Sequence, residues 1–511
     1  MLDELFNGLP NSTFADGRQS QTNLSGLLGI QDENELRKAL GTDASLGSDA
    51  SAMIGESLDN IVKLIVQDPR TFAPKLKRIE SYDAKAIQEE YNLVTSLGKT
   101  DNSWAREGQL GHEDAATYER VTEEVKHVVQ YGSVTDTAER AAKHKFGSLY
   151  AKEVNLRLRK LLLDIDRDIM HGDNTLNPLA WRGLIQQVMD RVGKTSEVYT
   201  DMVSFNGTVG TAGGRETYIK GGQLSAELLR AKAEIPLVKG GVPTCVYLAP
   251  KDKRIIGAAE NGAVRYYQEN QNSSIAKGMR VDQINTDFGD DMNIDIVWDI
   301  HMQHRRGRPS SKPKNPADPK LFHKNVASQL PDGAFSLAAT APSGAPGKLP
   351  VDQYFYGIAP KGGPAEGKIR MLNTGVTTTN TNGTVEITLT LPADLSNISS
   401  WCLYRSTVGG NDYNDFRFVK EIPLDTSNGA TQVIVDDGTI MPSSRYAFQY
   451  DESKSALAFL LYPTTMRLDR IDRTQRFYVE SEMLCQLYAP QYAHVFENVG
   501  GHADTLLDTD G

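Results

Sequence analysis

At 511 residues the chain exceeds what one simple core requires, and about two to four domains are expected. Hydrophobic content of 39% and charged content of 24% are those of an ordinary folded protein, and no run of about 18 uninterrupted apolar residues is present to span a bilayer. A formal net charge of −11 sets the chain as a whole against wrapping a polyphosphate, which argues against nucleic-acid binding as its main activity.

In chain order, the start (1–8) is acidic and short on apolar length, unlike a secretory signal. Up to Lys75 the text is irregular and rich in Gly, Ser, Asn and Asp. It is interrupted by Ile54, Leu58, Ile61, Val62 and Ile65, a narrow apolar helical stripe that ends before Asp68 and Pro69. One short amphipathic helix between irregular arms cannot bury its own stripe, so it requires a partner surface. Two β-capable stretches come next, 79–97 and 118–131, joined by a polar connection over 98–111. Val125, His127, Val129 and Tyr131 alternate as in a strand, although Val121, Val125 and Val128 would also suit a helix, and Glu89, Glu90, Glu123 and Glu124 make both arms too polar for a core. The reading is a long, exposed hairpin.

A helix is predicted over 146–171, roughly 35–40 Å at 1.5 Å per residue. Val154, Leu158, Leu161, Leu162, Ile165 and Ile169 form its stripe, and Gly172 ends it. Lys152, Arg159, Lys160, Asp166 and Arg167 fall elsewhere, and Asp164, Asp166 and Asp168 read as a solvated or interchain face. Next comes an α/β stretch. Leu224, Leu228, Leu229 and Ala231 mark a helix, 244–248 a buried strand, 250–260 a helix with proline at its start, and 279–284 and 292–300 two strands. From Gln303 to about Leu349 the composition turns to Pro, Gly, Ser and Lys. Beyond it, 353–358, 384–390, 401–405, 416–419 and 431–435 are short alternating strands, the pattern of a small sandwich. From Ser455 the text is mixed again, with strands at 475–479 and 483–488.

No constellation for catalysis, cofactor binding or metal binding assembles from the sequence. Asp287-Phe288-Gly289 matches a kinase metal-binding triplet without the glycine loop, catalytic loop or lysine strand that would use it. His301 and His304 stand three apart in text that reads as a strand, with no third ligand at suitable spacing. The glycines of 210–215 and 220–222 lack the ending of a phosphate loop. Cys245, Cys402 and Cys485 are too far apart and too few for a disulfide framework or a zinc cluster, and they suit a reducing compartment. A local basic patch at His304, Arg305, Arg306 and Arg308, with Lys312 and Lys314, reads first as a solvated linker.

Taken in order, these pieces resemble the major capsid proteins of tailed bacteriophages, a fold shared with encapsulin compartments. The stretch Gly172, Asp173, Asn177, Pro178 and Gly183 is similar to the segment after the long helix in that family. Residues 244–260 resemble the strand and helix of its axial domain, and 468–499, with 477–484 within it, the closing strands of its peripheral domain. Tyr354-Phe355-Tyr356 and 401–405 resemble strands of the immunoglobulin-like or fibronectin-like modules that some members carry as insertions.

The resemblance implies an α+β capsid fold. Its parts would be an N-terminal arm (1–75), an extended β-hairpin loop (76–131), peripheral and axial domains with a long spine helix (132–302 and 455–511), and a linker with an inserted β-sandwich (303–454). It implies a non-enzymatic shell subunit that forms pentamers and hexamers around double-stranded DNA, with the sandwich on the outer surface. Implied partners are copies of itself, with scaffold, portal and decoration proteins, weak contact with packaged DNA, and no cofactor or membrane. The implied location is the virion, with assembly in the host cytoplasm. The alternatives are an encapsulin-like shell, another phage structural protein such as a tail component, and a carbohydrate-active enzyme, the last weakened by the absence of a paired-carboxylate motif.

Overall fold

The computed structural model describes residues 69–96, 115–191, 203–204, 224–260, 282–286, 292–302, 335–342, 349, 353–378, 383–406 and 416–499, apart from individual positions within these spans, together with a few residues between 98 and 108. The apolar stripe of 54–65, the Asp287-Phe288-Gly289 triplet, the glycine stretches of 210–222 and His304 lie outside the described residues. The described chain divides into two compact units: 69–71, 129–162 and 463–480 in one, and 72–128, 163–462 and 481–499 in the other.

The chain enters through two single-turn helices, α1 (Pro69–Phe72) and α2 (Lys75–Arg78), then β1 (Glu80–Asp83). Strands β2 (Gln88–Ser96) and β3 (Thr117–Glu124) form an antiparallel ladder in register from Gln88↔Glu124 to Ser96↔Thr117. They make a two-stranded sheet of their own. Strand β4 (Lys126–Thr135) comes next, with His127, Val129 and Tyr131 on its exposed side, so the alternation read from sequence is present and faces outward.

In the first unit β4 leads into helices α3 (Asp136–Phe146) and α4 (Leu149–His171). Helix α4 starts three residues later than the periodicity suggests. The Ser148 hydroxyl accepts the Ala151 N–H at 3.2 Å, and the Glu139 carboxylate accepts the Tyr150 N–H at 2.9 Å. A serine at the cap satisfies a first-turn donor that would otherwise need water, and this fixes the start. Tyr150 packs edge-on against Phe477, with ring centroids 5.2 Å apart. A Cβ at Gly132 would meet that same Phe477 ring at 2.4 Å, so glycine is required where the strand passes the aromatic.

In the second unit the stripe of α4 continues as Ile165 and Ile169, both fully buried. Asp166, expected on a solvated face, is also fully buried, which corrects that expectation: the helix is enclosed on this side as well. The helix stops where two glycines let the backbone fold back on itself. The Gly183 N–H donates to Gly172 O at 2.8 Å. A Cβ on Gly172 would lie 2.6 Å from Asp168 O and 2.7 Å from Trp181 O, and one on Gly183 would lie 2.6 Å from Met170 O. Trp181 is buried there, its indole N–H donating to Asp168 O at 3.0 Å. Helix α5 (Leu184–Arg191) comes after the turn, and its Gln187 side chain donates to Cys485 O at 2.9 Å and accepts the Leu487 N–H at 2.9 Å.

Next come the short β5 (Val203–Ser204), α6 (Ala226–Val238), β6 (Cys245–Leu248), α7 (Pro250–Glu260), β7 (Gln283–Asn285) and β8 (Asn293–Trp298). Helix α7 has the predicted bounds, and β6 is buried at every position. His301, read from sequence as part of a strand, lies instead in a 3-10 turn, Ile300–Met302.

The β-rich stretch contains β9 (Ser336–Thr340), β10 (Gln353–Tyr354), β11 (Tyr356–Gly362), β12 (Ala365–Glu366), β13 (Arg370–Met371), β14 (Val376–Thr377), β15 (Val385–Thr390), β16 (Ser400–Ser406), β17 (Phe416–Pro423) and β18 (Thr431–Asp436). One sheet runs β12-β11-β16-β17 with β13 also on β11, and a second runs β18-β15-β9. Trp401, Leu403 and Ile358 from the first share a core with Ile387, Leu389 and Ile434 from the second. The buried Arg405 Nη1 donates to Asp436 Oδ2 at 2.5 Å and ties the sheets together, with the Tyr356 hydroxyl donating to the same oxygen at 2.8 Å.

Strand β19 (Arg445–Tyr450) pairs with β6 on one side and with β22 (His494–Val499) on the other, inside a sheet of order β5-β22-β19-β6-β8-β7. Residues 445–450, expected in the inserted stretch 303–454, are therefore a central strand of the sheet that also holds β6 and β8. Strands β20 (Ser455–Arg467) and β21 (Thr474–Leu487) complete a sheet of order β1-β20-β21-β4. The two short strands expected at 475–479 and 483–488 are one continuous β21, because polar residues such as Glu480 and Ser481 are buried within it and do not interrupt it.

Candidate functional site

Two features carry the functional reading: a surface that the described residues leave uncovered, and a charge cluster that holds the base of that surface in place.

The surface is the β2–β3 ladder. Val94 lies opposite Tyr118, and the two are 52% and 69% exposed. Ile87, just before β2, is also exposed. A two-stranded ribbon with aromatic and β-branched side chains in water is marginal by itself. Polar pairs line the rest of it, and Arg120 contacts Glu90 across the strands. Towards its base the ribbon becomes anchored. Tyr91 packs edge-on against Tyr488 at 5.0 Å, its hydroxyl donates to Leu487 O at 3.3 Å, and Glu123, buried, faces Arg182 at 3.6 Å.

The cluster begins in α2, immediately before the hairpin. The Lys75 side chain is fully buried. Its ammonium contacts Asp166 Oδ2 of α4 at 2.8 Å and Asp299 Oδ2 at the end of β8. Burial opposes the charge on Lys75, but the two aspartates outweigh it and push its pKa up. Burial pushes the Asp166 carboxyl up to about 6, against the pull of Lys75. One turn later Arg78 donates through Nε to Glu452 Oε1 at 2.7 Å and through Nη2 to Asp295 Oδ2 at 2.8 Å. Glu452 also accepts from the Tyr247 hydroxyl at 2.7 Å. The hairpin therefore springs from a segment fixed by two cations to four carboxylates.

Asp166, Asp299 and His301 present ligand atoms within 4.8 Å of one another, an arrangement open to a cation. The Lys75 ammonium already bonds both carboxylates, so their charge is compensated by the chain itself. Burial pushes His301 down to about 4, which keeps its ring neutral. The sequence singles out His301 but pairs it with His304, and it gives no hint of Lys75 or Asp299. A lone Lys in irregular text, 91 residues from Asp166 and 224 from Asp299, carries no local signal of such contacts. Cys245, Cys402 and Cys485 are buried free thiols.

No curated protein matches this chain. Solved structures similar to it include a chain of Mycobacterium phage Ogopogo (11% identity, 88% of this chain and 98% of that one, TM-score 0.38). Another is from the capsid structure of the cyanophage P-SCSP1u (9%, 90% and 97%, TM-score 0.41), and a third from the capsid of a native GTA particle (7%, 90% and 100%, TM-score 0.39). The family model of the SU10 major capsid protein matches residues 38–308, more than half of the chain, and spans the hairpin, the long helix, the two-glycine turn and the strand–helix unit of β6 and α7. Because that match covers the same elements, in the same order, that carry the resemblance in the sequence, the chain belongs to the SU10 major capsid protein family and is a structural capsid protein.

Proposed function

We propose that the chain assembles with copies of itself into pentamers and hexamers of an icosahedral shell of a tailed phage enclosing double-stranded DNA. The observation that carries this is the β2–β3 ribbon: it exposes Val94, Tyr118 and Ile87 while its base is pinned by Lys75 and Arg78. A rigidly rooted arm whose outer half has no cover among the described residues is suited to lie on a neighbour in ring-closing contacts. Residues 1–75 would serve as the N-terminal arm, the ribbon as the extended loop, α4 as the spine of a peripheral domain, and the β5-to-β7 sheet with α7 as the axial part.

The β-rich stretch of 335–440 would be an immunoglobulin-like insertion on the outer surface. Two antiparallel sheets over one core support this, as does the return of the chain into β19 beside β6. The net charge of −11 suits a wall that holds packaged DNA only weakly, and assembly would take place in the host cytoplasm with scaffold and portal proteins. Family membership indicates a non-enzymatic role.

The test is a chain in which 90–122 is replaced by a short Gly/Ser turn, followed by analytical ultracentrifugation. Folded subunits that no longer associate support the reading, whereas normal capsomers overturn the role given to the ribbon.

A further inference from the structure

The charge of the chain is unevenly placed. Residues 129–162 and 463–480, nearly all of the first compact unit as described, hold eleven Lys and Arg against six Asp and Glu. Their net of +5 stands in a chain of −11, so the remainder carries −16. Local contacts bring much of the excess to one end of the unit. The Asp136 N–H at the start of α3 donates to Arg473 O at 2.9 Å, and Arg470 Nη1 lies 3.3 Å from Asp136 Oδ2, which sets the turn between β20 and β21 against α3. Glu139 of α3 accepts the Tyr150 N–H in the first turn of α4, and Arg467 lies over the Tyr150 ring, 5.8 Å from its centroid. Arg140, Arg467, Arg470 and Arg473 are exposed here. Along α4, Lys152 and the exposed Lys160 are eight residues apart, about 12 Å at 1.5 Å per residue, on the side away from the buried stripe.

Most of the acids are engaged within the unit. Asp136 is taken by Arg470 and Gln475, Asp472 by Arg476, Glu153 faces Arg157 at 3.7 Å, and Glu480 is buried. Helix stability does not account for the placement of the cations. The first turn of α4 holds no acid and carries Lys152, although the positive N-terminal end of a helix dipole favours an acid there. Asp164, Asp166 and Asp168 come only in its C-terminal half.

We propose that this basic end is a docking face for double-stranded DNA, held through its phosphates with no reading of base sequence. A duplex offers one negative charge per about 1.7 Å of its axis, and Lys and Arg at several points on one face can neutralise them together. The rest of the chain, at −16, repels the duplex, so contact is confined to this end and does not extend to wrapping. Four phosphate contacts give log K a slope of about −3.6 against log salt, or about 150-fold weaker binding at about 200 mM than at about 50 mM. The choice of DNA as the polyanion rests on the shell reading. Binding itself is measured on unassembled subunits, so its failure leaves the shell reading to its own test.

The experiment is fluorescence anisotropy of short labelled duplexes of unrelated sequence, titrated with the full chain as free subunits over about 50 to 200 mM salt. The expected result is equal binding to every sequence, weakening about 150-fold over that range. Lys160→Glu with Arg473→Glu should weaken binding about tenfold or more at the lower salt while retaining a native circular dichroism spectrum. Lys85→Glu with Arg254→Glu changes the net charge by the same amount at exposed positions of the second unit, and should leave binding within about twofold. No binding by the full chain at the lower salt, or the same loss from both pairs, overturns the proposal. Binding that appears only once residues 1–68, net −7, are removed also overturns it, because that acidic segment would then be the occupant of the face.

Discussion

Val94 and Tyr118 face each other across the β2–β3 ladder, and both remain more than half exposed. Such a pair should contribute little to the stability of one subunit and much to association. Val94→Asp with Tyr118→Asp should change unfolding free energy by no more than about 0.5 kcal/mol, as for surface substitutions generally. The same variant should abolish particle formation. Urea unfolding followed by sedimentation velocity measures both on one sample.

Arg445 and Asp252 lock the returning chain to α7. The guanidinium donates to both carboxylate oxygens at 2.9 and 2.7 Å, with both side chains 2% exposed. Removing one partner leaves a buried charge uncompensated, so Arg445→Ala or Asp252→Ala should cost about 3–5 kcal/mol. Replacing both by apolar residues of similar volume should recover most of that loss. Chemical denaturation of the three variants checks it.

The two-glycine turn after α4 is a packing requirement. A methyl group at Gly172 or Gly183 would meet backbone oxygens at 2.6 Å, and backbone cannot move aside as a side-chain tip can. Gly172→Ala should destabilise by about 1–3 kcal/mol, the range for overpacking. Gly429, which has a left-handed φ of +72° but open space around its Cβ, is the contrast: Gly429→Ala is strained by conformation alone. Thermal unfolding of the two variants separates the effects.

His301 sets an acid limit on the fold. Burial lowers its pKa from 6.5 to about 4, so between those values the unfolded chain binds the proton that the folded chain refuses. Its contribution is therefore complete above about pH 6.5 and is lost as pH falls towards 4. His301→Asn should flatten that part of the stability-against-pH curve, measured by denaturant unfolding at fixed pH values.

The β-rich stretch should be separable, but only along the right boundary. Replacing 335–440 with a flexible bridge should leave assembly intact. Extending the deletion to 454 removes β19, with Arg445 and its pairing to β6 and β22, and should prevent folding. Electron microscopy of the two deletions distinguishes them.

The elements legible in the sequence rest on local physics. The stripe of Leu161, Leu162, Ile165 and Ile169, the proline-led start of α7 and the alternation through Val385, Ile387 and Leu389 are each written in neighbouring residues. The hidden features depend on distant partners. Asp166 reads as part of a solvated or interchain face until Lys75 arrives, and 445–450 falls within the stretch assigned to the insertion until β6 and β22 flank it. The start of α4 is obscured because Ser148 caps the helix within a run whose periodicity continues upstream. The cluster at Lys75 is invisible to local patterns because its members come from three separate regions of the chain.

The central claim is that this chain builds a shell, and cryo-electron microscopy of the purified full chain, alone and with a scaffold protein, tests it most directly. Capsomers or closed icosahedral particles with the β2–β3 ribbon lying on an adjacent subunit are the predicted result. A monomer at every concentration, or particles in which the ribbon touches only its own subunit, would contradict it.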